Sequence, residues 1–170
     1  RVLRMTPGDT IVIADGRGNE AIARIAGFQR ETADLALVKT FKNENEPLHY
    51  VSLYSAVLKH DNFEFVAQKV AEIGVSEIIP VISAFTVKSR LNAGRIERII
   101  KEAAEQAGRA IIPRLHQPIA FCEALIQAKR NDLNAFFDLS ESPLHDPESM
   151  FRSSQRIGIF IGPEGGWTEE

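Results

Sequence analysis

Apolar positions along the chain follow two rhythms, and the change falls near residue 46. Before it the apolar runs are short: 10–14, 20–28 and 33–40, rich in Ile, Val, Ala and Leu. Alternation shows in Ile11/Ile13, and in Leu35/Leu37 or Ala36/Val38. Pro7-Gly8-Asp9 and Asp15-Gly16-Arg17-Gly18-Asn19 are turn signals between these runs. Short strands with turns at this spacing predict a small β-barrel. A barrel of this size buries too little to stand alone, so it leans on the rest of the chain or on a further strand. The polar stretch 43–46, closed by Pro47, marks the expected domain boundary, giving domains 1–46 and 47–170.

Beyond it strands alternate with helical periodicity. Residues 49–58 alternate as a strand. Asp61 with Glu64 forms a capping box for a helix whose apolar face is Phe63, Val66, Val70 and Ile73, with Gly74 as its C-cap. Residues 77–82 are a buried strand. Asn92 opens a second helix with Ile96, Ile99, Ile100, Ala103 and Ala107 facing in, closed by Gly108. A third helix is expected from about Pro118, its apolar face Ile119, Cys122, Leu125 and Ile126. A strand at 133–137, a loop rich in Ser and Pro, and a last strand at 157–161 complete the series. This rhythm predicts an α/β fold with a mostly parallel sheet and flanking helices.

The last strand, Ile157 to Ile161, is an apolar run that Gly162-Pro163-Glu164-Gly165-Gly166 stops. Thr168 with Glu169 and Glu170 then reads as a helix start. In open α/β sheets ligands bind at the carboxyl ends of the strands, where this loop falls. Glycines there let the backbone come close to a flat ligand. The loop is neither a P-loop nor a G-x-G-x-x-G fingerprint. The residues alone leave two readings open, a ligand cradle or a plain turn.

The 44% hydrophobic and 25% charged content is that of an ordinary globular protein, and no apolar run is long enough to cross a bilayer. The chain opens on Arg-Val-Leu-Arg, without a signal-peptide pattern, and its single cysteine rules out an internal disulfide. Cytoplasmic location is the expectation, with Cys122 a small buried helix residue. Net charge is −3, but residues 1–42 carry seven basic and five acidic side chains, a mild local excess that permits an RNA-facing part. His49, His60, His116 and His145 are scattered, so no metal site is expected.

Four blocks carry a family resemblance. IGPEGGWTEE at 161–170 resembles the IGPEGG-(Phe/Trp)-(Thr/Ser)-x-x-E signature of the 16S ribosomal RNA uridine-N3 methyltransferases, of the knotted SPOUT superfamily. Val2-Leu3-Arg4 followed by Gly8-Asp9 is similar to the opening of that family's PUA-like barrel. Gln68-Lys69 with Glu72-Ile73-Gly74-Val75, then Ile78 and Pro80, is similar to its QK-x-x-ELGV-x-x-I-x-P block. Glu102-Ala103-Ala104-Glu105-Gln106-Ala107-Gly108-Arg109 is similar to its EAAEQ-(Ser/Ala)-GR block. Ser83, Thr86 and Lys88 fall on a further segment, with Phe85 where the family has Arg.

The resemblance implies methyl transfer from S-adenosyl-L-methionine to N3 of a uridine in 16S rRNA of the small subunit. It implies that Ile161, Gly162, Pro163, Glu164, Gly165 and Gly166 hold the cofactor through the backbone. It also implies a homodimer with the active site at a two-fold interface. Further segments are expected before Arg1 and after Glu170, so that both barrel and knot are incomplete here. Arg109 is the candidate catalytic residue, placed at a helix end where it contacts phosphate or the substrate base. The competing reading is a solvated helix face with Glu102–Gln106 and Glu105–Arg109 pairs. The expected RNA-facing cations are Arg1, Arg4, Arg17, Lys59 and Lys88. A non-catalytic RNA-binding protein on the same scaffold is the alternative function.

Overall fold

The computed structural model describes residues 4–58, 61–84, 86, 91–137, 146–163 and 165–167. The chain divides into two units: Arg1–Glu46 with Gly108–Ile111, and Pro47–Ala107 with Ile112–Glu170.

The smaller unit is built on an antiparallel sheet of β1 (Thr10–Ala14), β2 (Asn19–Phe28) and β3 (Ala33–Lys42), in that order. The β1–β2 turn is fixed by Asp15, whose Oδ1 accepts from the Arg17 and Asn19 N–H groups at 2.7 and 3.2 Å. The sheet's buried side is carried by Ala21, Ala23 and Ile25 of β2. β3 is exposed along its whole length, because it is an edge strand that nothing among the described residues covers.

The segment Gly108–Ile111 joins this unit through a hydrogen bond from the Gly18 N–H to the Ala110 carbonyl, 3.0 Å. Glu46 anchors it: Oε2 pairs with Arg109 Nη2 at 2.9 Å, and Oε1 accepts from the N–H groups of Ala110 and Ile111, each at 2.9 Å. The Arg109 side chain is only 6% exposed, so the pair is shielded from solvent. Arg109 therefore does not lie on a helix face. Glu105 pairs with Lys101, and Glu102 with Arg98, one turn back on the helix.

The larger unit is a parallel sheet with helices on both faces. Its elements are β4 (Tyr50–Ala56), α1 (Asp61–Glu72), β5 (Glu77–Ile82), α2 (Ala93–Gln106), β6 (Arg114–Leu115), β7 (Ile119–Ala120), α3 (Phe121–Ala128), β8 (Leu133–Phe137), α4 (Pro147–Ser153) and β9 (Arg156–Ile161). The strand order is β6-β5-β4-β9-β8, with β7 also on β5, and every described pairing is parallel. Neighbouring residues of a strand point to opposite faces, so each central strand supplies two cores. Leu53 and Ile78 meet Phe63, Ala67 and Ala71 of α1 and Ile96, Ile100 and Ala103 of α2. Tyr54, Ile79, Val81 and Phe160 meet Ala124 and Ala128 of α3. Each large side chain buried this way contributes about 1.5–3 kcal/mol.

Helix faces depart from the expected ones for local reasons. In α1 Phe63 is buried with Ala67 and Ala71, and Val66 and Val70 pack against the same core as expected, while Ile73 is 78% exposed because the helix has ended at Glu72. Gly74 closes it at φ +105°, and the Val75 N–H reaches back to the Val70 carbonyl, a Schellman-type stop. A Cβ at Gly74 would also collide with the Pro47 ring, so glycine is required there twice over. In α2 Asn92 caps as expected, its side chain accepting from the Arg95 N–H at 3.1 Å. Ala104 is buried and Ala107, the C-cap, is exposed. The third helix starts at Phe121, because Ile119 and Ala120 pair with Val81 and Ile82 as strand β7. The later start rotates its inward face to Ala124 and Ala128, and Cys122, Leu125 and Ile126 are exposed. Helix α4 lies in what the sequence pattern gives as loop. Its signal is Asp146 before Pro147, with the Asp146 carboxylate accepting from the Ser149 N–H at 3.4 Å. The helix start expected at Thr168 lies outside the described residues.

At the amino-terminal edge of the parallel sheet lies a buried carboxylate, Glu77. It accepts from Ser52 Oγ at 2.6 Å, contacts His116 Nε2 at 2.7 Å, and pairs closely with Arg130 Nη2. It thus ties together β4, β5, the turn after β6 and the end of α3. Burial by itself pushes the Glu77 carboxyl up, but the Ser52 hydroxyl, the Arg130 guanidinium and the His116 ring hold it below the usual glutamate value.

These ion pairs can be tested through stability. Glu77→Gln removes the charge that three partners share, and urea unfolding at pH 7 will show a loss of about 2–3 kcal/mol. A depressed folded-state pKa gives stability above the unfolded value of about 4.3 that is lost as pH falls through the folded value. The gap between wild type and Glu77→Gln will therefore close below about pH 4. In the smaller unit, Glu46→Ala and Arg109→Ala will each destabilise by roughly 3 kcal/mol, and the double variant will be well short of additive. Equal and additive losses in thermal unfolding would show that the two side chains act separately.

Candidate functional site

Because the described pairings in the large sheet are all parallel, β4, β5, β7, β8 and β9 finish on one edge. The last residues of three strands, Ile82, Phe137 and Ile161, are respectively 51%, 58% and 40% exposed there. Phe137 and Ile161 are register partners. After β5 the chain turns at once: the Thr86 N–H donates to the Ser83 carbonyl at 3.0 Å, and Thr86 Oγ1 accepts from the Ser83 N–H at 2.8 Å.

After Ile161 the chain makes the glycine loop. The Gly166 N–H donates to the Pro163 carbonyl at 2.9 Å, closing a turn, and Gly166 sits at φ +74°, where a side chain would be strained. Gly162 is glycine for a different reason. Its backbone is not left-handed, but a Cβ built on it would lie 3.2 Å from both Cε2 and Nε1 of Trp167.

Beneath the loop is a cluster of aromatic rings. Phe160 is stacked between Tyr54 (centroids 4.4 Å, 6° between planes) and Phe136 (4.2 Å, 10°), three rings in register across β4, β9 and β8. Trp167 stacks on Phe121 at 4.8 Å and presents its ring at a steep angle to Phe136 and Phe160. Two polar atoms in this cluster are buried without a hydrogen-bond partner among the described residues, the Tyr54 hydroxyl and Trp167 Nε1. A buried donor left unpaired costs about 1–3 kcal/mol, which an acceptor arriving with a ligand would recover.

The structure brings Ile161, Gly162, Pro163, Gly165 and Gly166 together at the strand ends, while Glu164 lies outside the described residues. Arg4 and Arg17 belong to the smaller unit, both exposed. Arg1, Lys59 and Lys88 also lie outside the described residues. Arg109 departs from the reading of a solvated helix face paired with Glu105. The helix ends at Gln106 and Gly108 takes φ +66°, so the chain leaves the face that Glu102 and Gln106 occupy, and Arg109 is engaged by Glu46. Sequence reasoning also passed over Tyr54, Phe121, Phe136 and the packing role of Trp167. The one signal available was that Trp167 directly follows the glycines.

The arrangement fits a cofactor with a flat heteroaromatic base. Exposed apolar strand ends offer surface for a ring, the loop offers backbone N–H and C=O groups, and the Trp167 donor lies against Gly162. Among the described residues no group of three or more His, Cys, Asp or Glu could hold a metal ion. None of the described helices is long and apolar enough to cross a membrane.

Comparison with known proteins agrees with this geometry. Residues 44–170 match the family model of an RNA methyltransferase domain, and residues 1–38 that of an RNA methyltransferase PUA domain. The chain is 34% identical over 140 residues to ribosomal RNA small subunit methyltransferase E of Mesomycoplasma hyopneumoniae, covering 78% of this chain and 60% of that protein. It is 30% identical to the protein of the same name from Synechocystis, covering 99% of this chain and 57% of the relative. The chain thus spans somewhat under two thirds of the length of these relatives. Among solved structures, ribosomal RNA small subunit methyltransferase E from Neisseria gonorrhoeae, bound to S-adenosyl methionine, superposes with a TM-score of 0.82. That pair is 30% identical and covers 99% of this chain and 70% of the other. With a parallel sheet flanked by helices, a glycine loop at its carboxyl edge and both family models matched in order, the chain belongs to the ribosomal RNA small subunit methyltransferase E family.

Proposed function

We propose that the full-length protein methylates N3 of a uridine in the 16S rRNA of the small ribosomal subunit, with S-adenosyl-L-methionine as donor. The observation that carries this reading is the 162–166 loop, set at the carboxyl edge of a parallel sheet over a floor of aromatic rings. The cofactor supplies a methyl group already activated on a sulfonium. The protein's own part is positioning and exclusion of water. In this reading the backbone of Ile161, Gly162, Pro163, Glu164, Gly165 and Gly166 holds the adenosyl end, and the exposed side chains of Ile82 and Phe137 bound the ring's apolar surface. The uracil N3 proton must leave as the methyl arrives. Arg109, paired with Glu46 at 2.9 Å, is proposed to act by contact with phosphate or the substrate base.

The smaller unit is the part proposed to face RNA. Arg1, Arg4, Arg17, Lys59 and Lys88 are the cations proposed to contact phosphate, which gives binding that weakens with salt. A homodimer acting in the cytoplasm completes the proposal, a two-fold pair being the commonest arrangement for a soluble oligomer.

Mass spectrometry of rRNA from a strain lacking the gene will show one 3-methyluridine missing from 16S rRNA, restored by the gene in trans. If every 3-methyluridine persists while calorimetry still shows RNA binding, the protein is a non-catalytic RNA binder on this scaffold. Light scattering of the full-length protein at micromolar concentration will give twice the monomer mass, and a monomer mass would remove the dimer from the proposal.

A further inference from the structure

Gly162 needs an explanation that its conformation does not provide. Its φ lies outside the left-handed region, so alanine would suit the backbone. What excludes a side chain is space. A Cβ there would lie 3.2 Å from Cε2 and from Nε1 of Trp167, and 3.4 Å from the Gly166 carbonyl carbon. The indole contact is tighter than ordinary packing, so the ring or the loop would have to give by a few tenths of an ångström, while the Gly166 contact is an ordinary one.

Trp167 has little freedom to retreat. Its ring stacks on Phe121 at 4.8 Å and packs against Phe136 and Phe160 at 6.5 and 6.3 Å. Phe160 is itself fully buried and stacked between Tyr54 and Phe136. The indole is therefore backed by rings belonging to β4, β8, β9 and α3. A side chain added at Gly162 would have to displace either that assembly or the loop, and the loop is the softer of the two.

We propose that Trp167 is a positioning residue for the cofactor loop: it reads the absence of a side chain at Gly162 and so sets the path of the 162–166 backbone. It acts through Gly162 and is not itself a catalytic residue. The two atoms that press on Gly162, Cε2 and Nε1, both belong to the pyrrole half of the indole. That ring is the one joined to Cβ, so a phenylalanine ring would place carbons close to both positions, whereas leucine, which ends at Cδ, reaches neither. A Leu at 167 keeps an apolar side chain beside Phe121 and gives up the contact with position 162.

This inference rests on the cofactor reading, and the test separates the two. Affinity for S-adenosylhomocysteine is measured by calorimetry, with melting temperature alongside, for the full-length wild type, Gly162→Ala, Trp167→Leu and the double variant. Gly162→Ala in the wild-type background is expected to weaken binding by about tenfold or more. Trp167→Leu alone is expected to weaken binding by more than about threefold, because it gives up both the contact that sets the loop and the indole donor. In the Trp167→Leu background the alanine has room, and Gly162→Ala is expected to cost no more than about threefold further, a coupling that loss of stability alone would not place in the affinity. An equal loss from Gly162→Ala in both backgrounds, or none in either, overturns the inference while leaving the cofactor reading intact. Wild type that does not bind S-adenosylhomocysteine at all overturns the cofactor reading, and the inference with it.

Discussion

The larger unit depends on strand β9 lying between β4 and β8, parallel to both. It is the last of the described strands in sequence but occupies the interior of the sheet. That position does two things. Phe160 comes into register with Tyr54 on one side and Phe136 on the other, so three rings stack across three strands. And the glycine loop, which in sequence merely trails the strand, is delivered to the middle of the sheet's carboxyl edge. Pairing β4 with β9 joins residues about a hundred positions apart, a slow contact to form that costs loop-closure entropy. The stacked rings are part of what compensates that cost.

The two edges of the sheet are held by different physics. At the amino edge a buried carboxylate collects a hydroxyl, an imidazole and a guanidinium, and directional, charge-assisted bonds tie four segments together. At the carboxyl edge the described contacts are mainly ring against ring. Aromatic packing fixes position without consuming backbone hydrogen-bonding groups. Beyond the bond from the Gly166 N–H to the Pro163 carbonyl, this edge is held by side chains that make no claim on the loop's backbone groups. A site that recognises a base through main-chain atoms needs that arrangement, because a side-chain network at the same edge would compete for the same groups.

How much could be read from the sequence varied with the range of the interaction concerned. Strands bounded by turn chemistry, such as β1 against Asp15-Gly16 or β5 ending before Ser83, were legible because their stops are local. So were the Asn92 cap and the Gly74 stop. Helix α3 was misread because large apolar residues drew the inward face toward Leu125 and Ile126, whereas two alanines let the helix approach the sheet closely. Pro118 fitted a first helical turn, but pairing of Ile119 and Ala120 with β5 prevailed over that local preference. The partner of Arg109 was missed for a longer-range reason. Its partner Glu46 lies 63 residues away in sequence, and no periodicity reports such a pair. The glycine loop was legible as a motif, but its supports were not, since Tyr54, Phe121 and Phe136 come from three separate elements.

The loop's glycines also show why a motif underspecifies its own mechanism. Gly74, Gly108 and Gly166 take positive φ, and any L side chain there would strain the backbone. Gly162 does not, and its requirement comes from a neighbour five residues on. Read as letters, the glycines of the loop look interchangeable. In the structure one shapes a turn by conformation, and another leaves room for an indole. Removing the side chain at 162 lets the loop lie close to the ring cluster, so that its backbone is set by side chains it does not itself possess. The same arrangement explains why an aromatic residue directly follows the glycines. An aliphatic side chain at 167 could fill the volume, but it could not stack on Phe121 and at the same time present a flat edge to Gly162.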